Sequence, residues 1–494
     1  MFRKPLPATV LLLVIGTQVY AQNETDALNQ SASLPGGTAR SWALGGAFGA
    51  VGADPGSAST NPAGFGLYNT SEVSFTPQFE VNTANSRHYG NSTTAVDNRF
   101  SFNNLTLVLS YPGEHGDDWR GGVFGVSFDR QASFHWDEHA AANGLSNSIL
   151  DQFANDANGT APGSLGSAFP FGANLAYETY GINPSDSINS TYTSAIPPGT
   201  YTDQDDRMST AGRINTTSIF FAANHKDKLY LGGSLGIAGA RYEREITHGE
   251  TVTTPGVDLK DLTWSEKLLT SGSGVNLKVG VIGRATSNLR LGLAFHSPTW
   301  LQLTDVYSNV MRTEFNSPDA NGNTGYSMSS PDGSYNYRLR TPWSVLASAA
   351  YVVGRHGLVS VDYAYTDFRQ AKLNKSLDGL DEYSFSTEND AIQNDLRATH
   401  SLRAGTEWRS GAWYFRGGAG IWPDAWADSD ARQGTAYLRW SAGVGYRTRH
   451  VSIDLAGVYG KRETNRYPYD PDLVQPVNSS LSDARGMLTF AYRP

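Results

Sequence analysis

The residues with the most chemical potential are charges set at alternate positions within otherwise apolar runs. Lys278, Arg290, Arg403, Arg416 and Arg439 stand against Asp362, Glu407 and Asp454. In a confined space such groups pair, because charge taken out of water without a partner costs about several kcal/mol. Arg290, Asp362, Glu407, Arg416 and Asp454 fall near short connections, where pairing with one another and with an inserted segment is expected. Lys278 lies farther along its run and is the better candidate to meet a ligand carboxylate, with Arg40 as a second. Other chemistry is thin. Cysteine is absent, which removes disulfides, thiolate nucleophiles and thiolate metal sites. Gly232-Gly233-Ser234-Leu235-Gly236 matches a nucleophile elbow but sits inside an alternating run, not at a strand-to-helix turn. The 10 histidines show no ligand spacing. Asp319-Ala320-Asn321-Gly322-Asn323 lacks the rest of a calcium loop and reads as a turn. No catalytic set, metal site or cofactor is expected. A net charge of -9 leaves no broad basic face for nucleic acid.

The elements that must carry these charges are strands. Val275, Leu277, Val279 and Val281 alternate with Asn276, Lys278, Gly280 and Ile282, and Leu289, Leu291, Leu293 and Phe295 alternate with Arg290, Gly292, Ala294 and His296. The same period runs through 229–237 and 438–445. Side chains two apart share a strand face, so one face is apolar and the other small or polar. Segments of this kind number about 14, an even count as in bacterial membrane barrels. They lie near 72–81, 100–111, 120–131, 213–224, 229–246, 264–285, 289–305, 336–352, 357–368, 395–409, 412–422, 437–447, 450–463 and 484–493. Short connections such as Thr286-Ser287-Asn288 and Ser410-Gly411 alternate with long ones, the longest 132–212. A soluble sandwich has no reason to keep that rhythm, whereas short inner turns and long outer loops are the rule for membrane barrels. Trp264, Trp300, Trp343, Trp408, Trp413, Trp422 and Trp440 sit towards strand ends, as interfacial girdles require, although cross-strand packing would use the same residues. A mean hydropathy of -0.39 is compatible with this, because lumen and loops are polar.

The N-terminus reads differently. Arg3 and Lys4, the apolar run Val10 to Ile15 and Val19-Tyr20-Ala21 make residues 1–21 a secretory signal peptide. Nothing after it approaches the ~20 apolar residues of a membrane helix. Residues 22–71 are rich in glycine, alanine and serine, including Gly45-Gly46-Ala47-Phe48-Gly49-Ala50-Val51-Gly52 and Asn61-Pro62-Ala63-Gly64. Trp42, Leu44, Phe48, Val51, Phe65 and Leu67 call for burial and argue against a free linker. A nucleotide loop lacks its Gly-Lys-Ser/Thr. The expectation is a plug in the lumen of an all-β, 14-stranded antiparallel transmembrane barrel spanning 72–494.

The run from Gly45-Gly46-Ala47-Phe48 through Asp54-Pro55 to Asn61-Pro62-Ala63-Gly64 resembles the hatch of the FadL-type outer-membrane transporters, which include the TodX hydrocarbon porins. Gly274-Val275-Asn276-Leu277-Lys278-Val279-Gly280 and Leu291-Gly292-Leu293-Ala294-Phe295-His296-Ser297-Pro298 are similar to that family's middle strands. The resemblance covers essentially the whole mature chain; the last strand departs slightly, ending in Arg493-Pro494 rather than on an aromatic. It implies a plugged 14-stranded barrel in the cell outer membrane that carries long-chain fatty acids or hydrocarbons inward without an energy source. Ligands would be collected by external loops, pass to a lumen site and leave sideways through a kink in the third strand. Partners would be hydrophobic small molecules, outer-membrane lipid and the barrel-assembly machinery, and the chain would be a monomer.

In the long loop, Ile149, Leu150, Phe153, Ala154 and Ala157 recur at helical spacing over 146–157, with Gly159 just beyond. Phe169, Phe171, Leu175, Tyr177 and Tyr180 add apolar surface. A collecting groove and a self-packed lid would use the same residues. The groove reading makes Ile149, Leu150, Phe153, Phe169 and Phe171 ligand-binding. Gly121, Gly122 and Gly125 in the third strand could host a kink or stand as ordinary strand glycines. Two other function classes stay open: a barrel serving as secretion shuttle, scaffold or adhesin, and a barrel enzyme, for which no catalytic set is visible.

Overall fold

The alternation closes into one antiparallel sheet. In the computed structural model, which describes residues 22–32, 34–113, 118–185, 190–377 and 383–494, fourteen strands form a barrel. They are β1 (Glu72–His88), β2 (Asn91–Pro112), β3 (Trp119–Ser133, resuming at Trp136–Leu145), β4 (Thr202–His225), β5 (Leu229–Val252) and β6 (Leu259–Arg284). Then come β7 (Leu289–His296 and Trp300–Phe315), β8 (Gly325–Ser329, Gly333–Arg340 and Ser344–Val353) and β9 (Gly357–Asp367 and Lys372–Lys375). β10 (Ala398–Ser410), β11 (Trp413–Trp422), β12 (Tyr437–Arg447), β13 (Val451–Arg466) and β14 (Val477–Tyr492) complete it. Each strand pairs with the next, and β14 returns to β1 from Val73↔Tyr492 to Arg87↔Asn478. The expected signal peptide lies outside the described residues.

The apolar face points outward. Leu231, Leu235, Ile237, Val275, Leu277, Val279, Leu291 and Leu293 are exposed, while their neighbours Ser234, Asn276, Lys278 and Ala294 are buried. In water such a surface would be far larger than a monomer tolerates; in a bilayer it is the lipid-facing band. No helix among the described residues is long and apolar enough to cross a membrane.

Several strands outrun their sequence-based limits. The stretch between 81 and 100, expected as a connection, continues as strand to a two-residue turn at Tyr89 (φ +43°) and Gly90 (φ +87°). β4 begins at Thr202, so the long loop spans 146–201 rather than 132–212. These extensions have polar residues on both faces, and apolar alternation cannot reveal a strand that has left the bilayer.

Two of the breaks have a local cause. β7 stops at Ser297-Pro298-Thr299 and β8 at Thr341-Pro342-Trp343, because proline cannot donate to the ladder. Thr299 N donates to Thr341 Oγ1 at 2.8 Å and Thr341 N returns to Thr299 O at 3.0 Å, which keeps the two strands in register. β3 breaks at Phe134-His135, after a register shift between Arg130 and Ala132. Gly121, with φ +158°, lies at a second shift at the other end of β3.

Candidate lumen site and the wall beside it

Residues 34–67 occupy the space that the small and polar strand faces leave. α2 (Ala39–Ala43) and two 3-10 turns, Pro55–Ala58 and Pro62–Leu67, are buried almost throughout. Asn61 caps the second turn by accepting from Ala63 N at 3.1 Å. Its amide donates to Gly49 O at 2.8 Å and to Val281 O at 3.2 Å, tying segment to wall. Glycines on the wall admit this backbone. A Cβ on Gly280 would lie 1.9 Å from Asn61 Oδ1, and one on Gly418 would lie 2.2 Å from Leu44 C.

Charged groups fix the same segment. Arg40 donates to both oxygens of Glu407, Nε at 2.9 Å and Nη2 at 3.0 Å, a bidentate arrangement. Arg416 bridges Glu407 to Asp454. Asp362 accepts from Phe48 N at 2.9 Å and Gly49 N at 3.0 Å and pairs with Arg403 at 3.3 Å. Arg290 Nη1 donates to Val51 O at 2.8 Å. Trp42 has two guanidiniums near its ring, Arg439 4.6 Å and Arg485 5.8 Å from its centre. The pairing expected for Asp362, Glu407, Arg416 and Asp454 is present, and Arg290 meets the inserted segment through the backbone of Val51.

On the long-loop side of this segment is a cavity of about 1230 Å³. Its apolar wall includes Leu34, Trp42, Phe134, Tyr242, Leu301 and Trp422; Lys278, His296, Arg130, Arg244 and Arg403 add polar groups. α1 (Glu24–Ser31), capped by Asn23 and Asp26, borders it at the mouth. Lys278 is 5% exposed, and its Nζ donates to Ala58 O at 3.1 Å. His296, opposite Lys278 in the ladder, donates from Nε2 to Thr60 O at 2.7 Å. Both side chains therefore meet the cavity on one side and the buried segment on the other.

The wall beside the cavity lacks its ladder over one stretch. β2 and β3 pair only from Pro112↔Gly121 to Asn104↔Asp129. Beyond that, Asn91–Asn103 pairs with β1 alone and Trp136–Leu145 with β4 alone. Asn82 of β1 donates to His135 O at 2.5 Å, so the resumed strand leans behind β2 into the lumen. Leu34 N donates to Gln131 O at 3.0 Å at the bend itself.

The expected site residues separate. Lys278 lines the cavity. Arg40 does not: its guanidinium is engaged by Glu407, Asp54 lies 3.9 Å away and Phe48 covers it. Ile149, Leu150 and Phe153 form α3 (Ile149–Ala157) as expected, with a Ser148–Asp151 capping box. They offer no open groove, because they are 3%, 0% and 3% exposed in a core with Leu175, Leu262 and Trp264. Amphipathic spacing cannot distinguish a face that binds ligand from one that binds its own barrel. Phe169 and Phe171 are half-buried, Phe169 at the edge of that core and Phe171 with its ring 4.9 Å from Tyr307. Asn61, Pro62, Ala63 and Gly64 form the second buried turn. Sequence reasoning missed His296, Phe134 and Arg130. The first was legible in principle, since its ladder register with Lys278 follows from the short 286–288 turn; the other two depend on the β3 bend. Among the described residues no group of three or more His, Asp or Glu is placed to hold a metal.

No protein-family model and no curated protein matches the sequence. Among solved structures, the chain is similar to a Pseudomonas aeruginosa FadL homologue, with TM-score 0.56, 13% identity, and 93% of this chain and 99% of that one covered. It is also similar to the Pseudomonas putida toluene transporter TodX, with TM-score 0.53, 12% identity, and coverage of 93% and 99%. The chain thus has the fold of the FadL-type barrels over nearly its whole length.

Proposed function

We propose that this chain is a passive outer-membrane transporter of hydrophobic small molecules, either long-chain fatty acids or aromatic and aliphatic hydrocarbons. The observation that carries this reading is a mixed apolar and cationic cavity bounded by a buried N-terminal segment and by a stretch of wall without a ladder. Its volume exceeds the ~300–1,000 Å³ usual for small-molecule sites, so a flexible chain fits. Residues 22–71 act as the plug. Phe169 and Phe171 at the loop rim collect the ligand, whereas Ile149, Leu150 and Phe153 hold the loop in place. Lys278 meets the ligand's carboxylate, exchanging Ala58 O for it, which loosens the plug from the wall. Arg40 anchors the plug instead of binding ligand. The stretch between β2 and the resumed β3 is the lateral exit, with no backbone ladder to break and only a side-chain bond, Thr93 Oγ1 to His139 O, across it. Such an exit delivers an apolar molecule to lipid rather than to water.

The test is uptake of labelled oleate and labelled toluene by cells lacking their own transporter. They would carry the protein, a version with 146–201 replaced by a short linker, or Lys278→Met. Wild-type should accelerate uptake of at least one compound, and loop replacement should abolish the gain. Lys278→Met should lower oleate uptake about tenfold, as expected for loss of ~1.4 kcal/mol of charge-assisted bonding, and leave toluene unchanged. No acceleration of either compound by correctly inserted protein would refute transport of these ligands and favour a shuttle, scaffold or adhesin.

A further inference from the structure

On the outward face of β7 to β10, a band of rings crosses neighbouring strands. Phe295 and Trp343 lie 6.1 Å apart, Trp343 and Tyr365 5.8 Å, and Tyr365 and His400 5.3 Å. Amphipathic rings in a row of this kind mark the level where hydrocarbon gives way to headgroups. Immediately beyond it, towards the long loops, Trp300, Arg340 and Lys372 stand side by side in ladder register. Gln302, Arg338 and Asn374 make the next row.

Arg340 and Lys372 are exposed and directly opposite one another. Like charges so placed repel unless an anion lies between them. Among the described residues no carboxylate pairs with Arg338, Arg340 or Lys372. Their donors that are engaged meet only carbonyls: Arg338 Nε on Lys375 O at 2.9 Å and Arg340 Nη2 on Gln370 O at 3.3 Å. Some other outward cations have a carboxylate beside them, although among the described residues Arg213 and Arg312 do not. Arg207 has Asp205, Arg241 has Glu243 and Lys267 has Glu245, at 2.8, 2.6 and 3.0 Å. Among the described residues the register thus leaves three cationic side chains without a carboxylate, at the depth where a membrane offers phosphate.

We propose that this patch binds the phosphate of an outer-leaflet phosphoglycolipid, an acylated glucosamine phosphate of the lipid A type. Arg338, Arg340 and Lys372 take the phosphate oxygens, Trp300 lies against the sugar, and the acyl chains run down over Trp343 and Tyr365. The inference rests on the outer-membrane location but not on transport.

The test uses purified full-length protein in detergent, titrated with bisphosphoryl lipid A, its dephosphorylated form and inorganic pyrophosphate, and read by native mass spectrometry. Wild-type should bind bisphosphoryl lipid A at least tenfold more tightly than the Arg338→Gln/Arg340→Gln/Lys372→Gln protein and than wild-type binds the dephosphorylated lipid. The Arg207→Gln/Arg241→Gln/Lys267→Gln protein should stay within twofold of wild-type. Equal loss in both triple variants, or no loss in the first, would overturn the site. Pyrophosphate bound as tightly as the lipid would overturn the lipid assignment. Heat-modifiable gel migration checks each fold; if the first triple variant fails, Arg340→Gln and Lys372→Gln are measured singly, each with at least a threefold loss expected and no loss in either counting against the site. Membrane fractionation separates the two premises. Protein absent from the outer membrane refutes the location, and protein present there without patch-dependent binding refutes only the site.

Discussion

Replacing Glu407 by glutamine removes the carboxylate that Arg40 and Arg416 share, and the proposed plug, the buried segment that carries Arg40, should open more often as a result. Glu407 accepts two hydrogen bonds from Arg40 and one from Arg416, all buried. Breaking a buried ion pair by removing one partner costs ~3–5 kcal/mol. Glutamine keeps the volume and one acceptor, and the arginines keep Asp54 at 3.9 Å and Asp454 at 2.7 Å. The loss should therefore be ~2–4 kcal/mol of plug docking. The barrel ladder does not involve these side chains and should stay closed. Because the chain has no cysteine, a single reporter can be placed cleanly. Ser57, 1% exposed with its hydroxyl unpartnered, accepts Ser57→Cys with little disturbance. Where reclosing outruns labelling, the rate of modification by a water-soluble maleimide follows the open population. It should rise about 30- to 700-fold in the Glu407→Gln background, at about tenfold per 1.4 kcal/mol. Arg40→Gln with Glu407→Gln should raise it less than the two single effects multiplied. A rate within twofold of wild-type, in protein that still shows barrel migration on gels, would refute the anchoring role of this pair.

Gly280→Ala should also loosen the plug and speed Ser57→Cys labelling, because its methyl would overlap Asn61 Oδ1, whereas Gly239→Ala meets nothing within 4 Å and should match wild-type. Phe153→Ala should cost the long loop ~3–5 kcal/mol of packing on Trp264, seen as faster deuterium exchange over 149–157; unchanged exchange would mean the loop is held elsewhere. Burial raises the Asp26 carboxyl to about 7, with Asp305 adding to the rise and Arg244 opposing it. The folded state then holds the proton more tightly than the free chain, so α1 docks most firmly below pH ~4, weakens up to tenfold per unit as pH rises to about 7, and changes little above. Intrinsic-rate-corrected exchange of the α1 amides should follow that course, and Asp26→Asn should flatten it.

The strands and their lipid-facing side were legible because a bilayer imposes one rule at every position: apolar outward, small or polar inward, with period two. That rule fixed the strand number and the residues such as Asp362 and Glu407 that meet the lumen. It weakened wherever the bilayer ended, so the polar extensions of β1, β2 and β4 read as connections. It also could not sort partners. Arg40 and Lys278 were alike as buried cations near a lumen, and only the folded chain puts Glu407 against one and open cavity against the other. α3 was recognisable from its spacing, yet whether its apolar face stayed open depended on Trp264 and Leu262, about a hundred residues away. The missing ladder between β2 and β3 has no local signature at all. There Gln131 O accepts from Leu34 N, His135 O accepts from Asn82, and the strand resumes against β4 alone, all contacts distant in sequence. Periodicity is a local property and survives in the sequence; who faces whom across the lumen is decided by closure of the barrel.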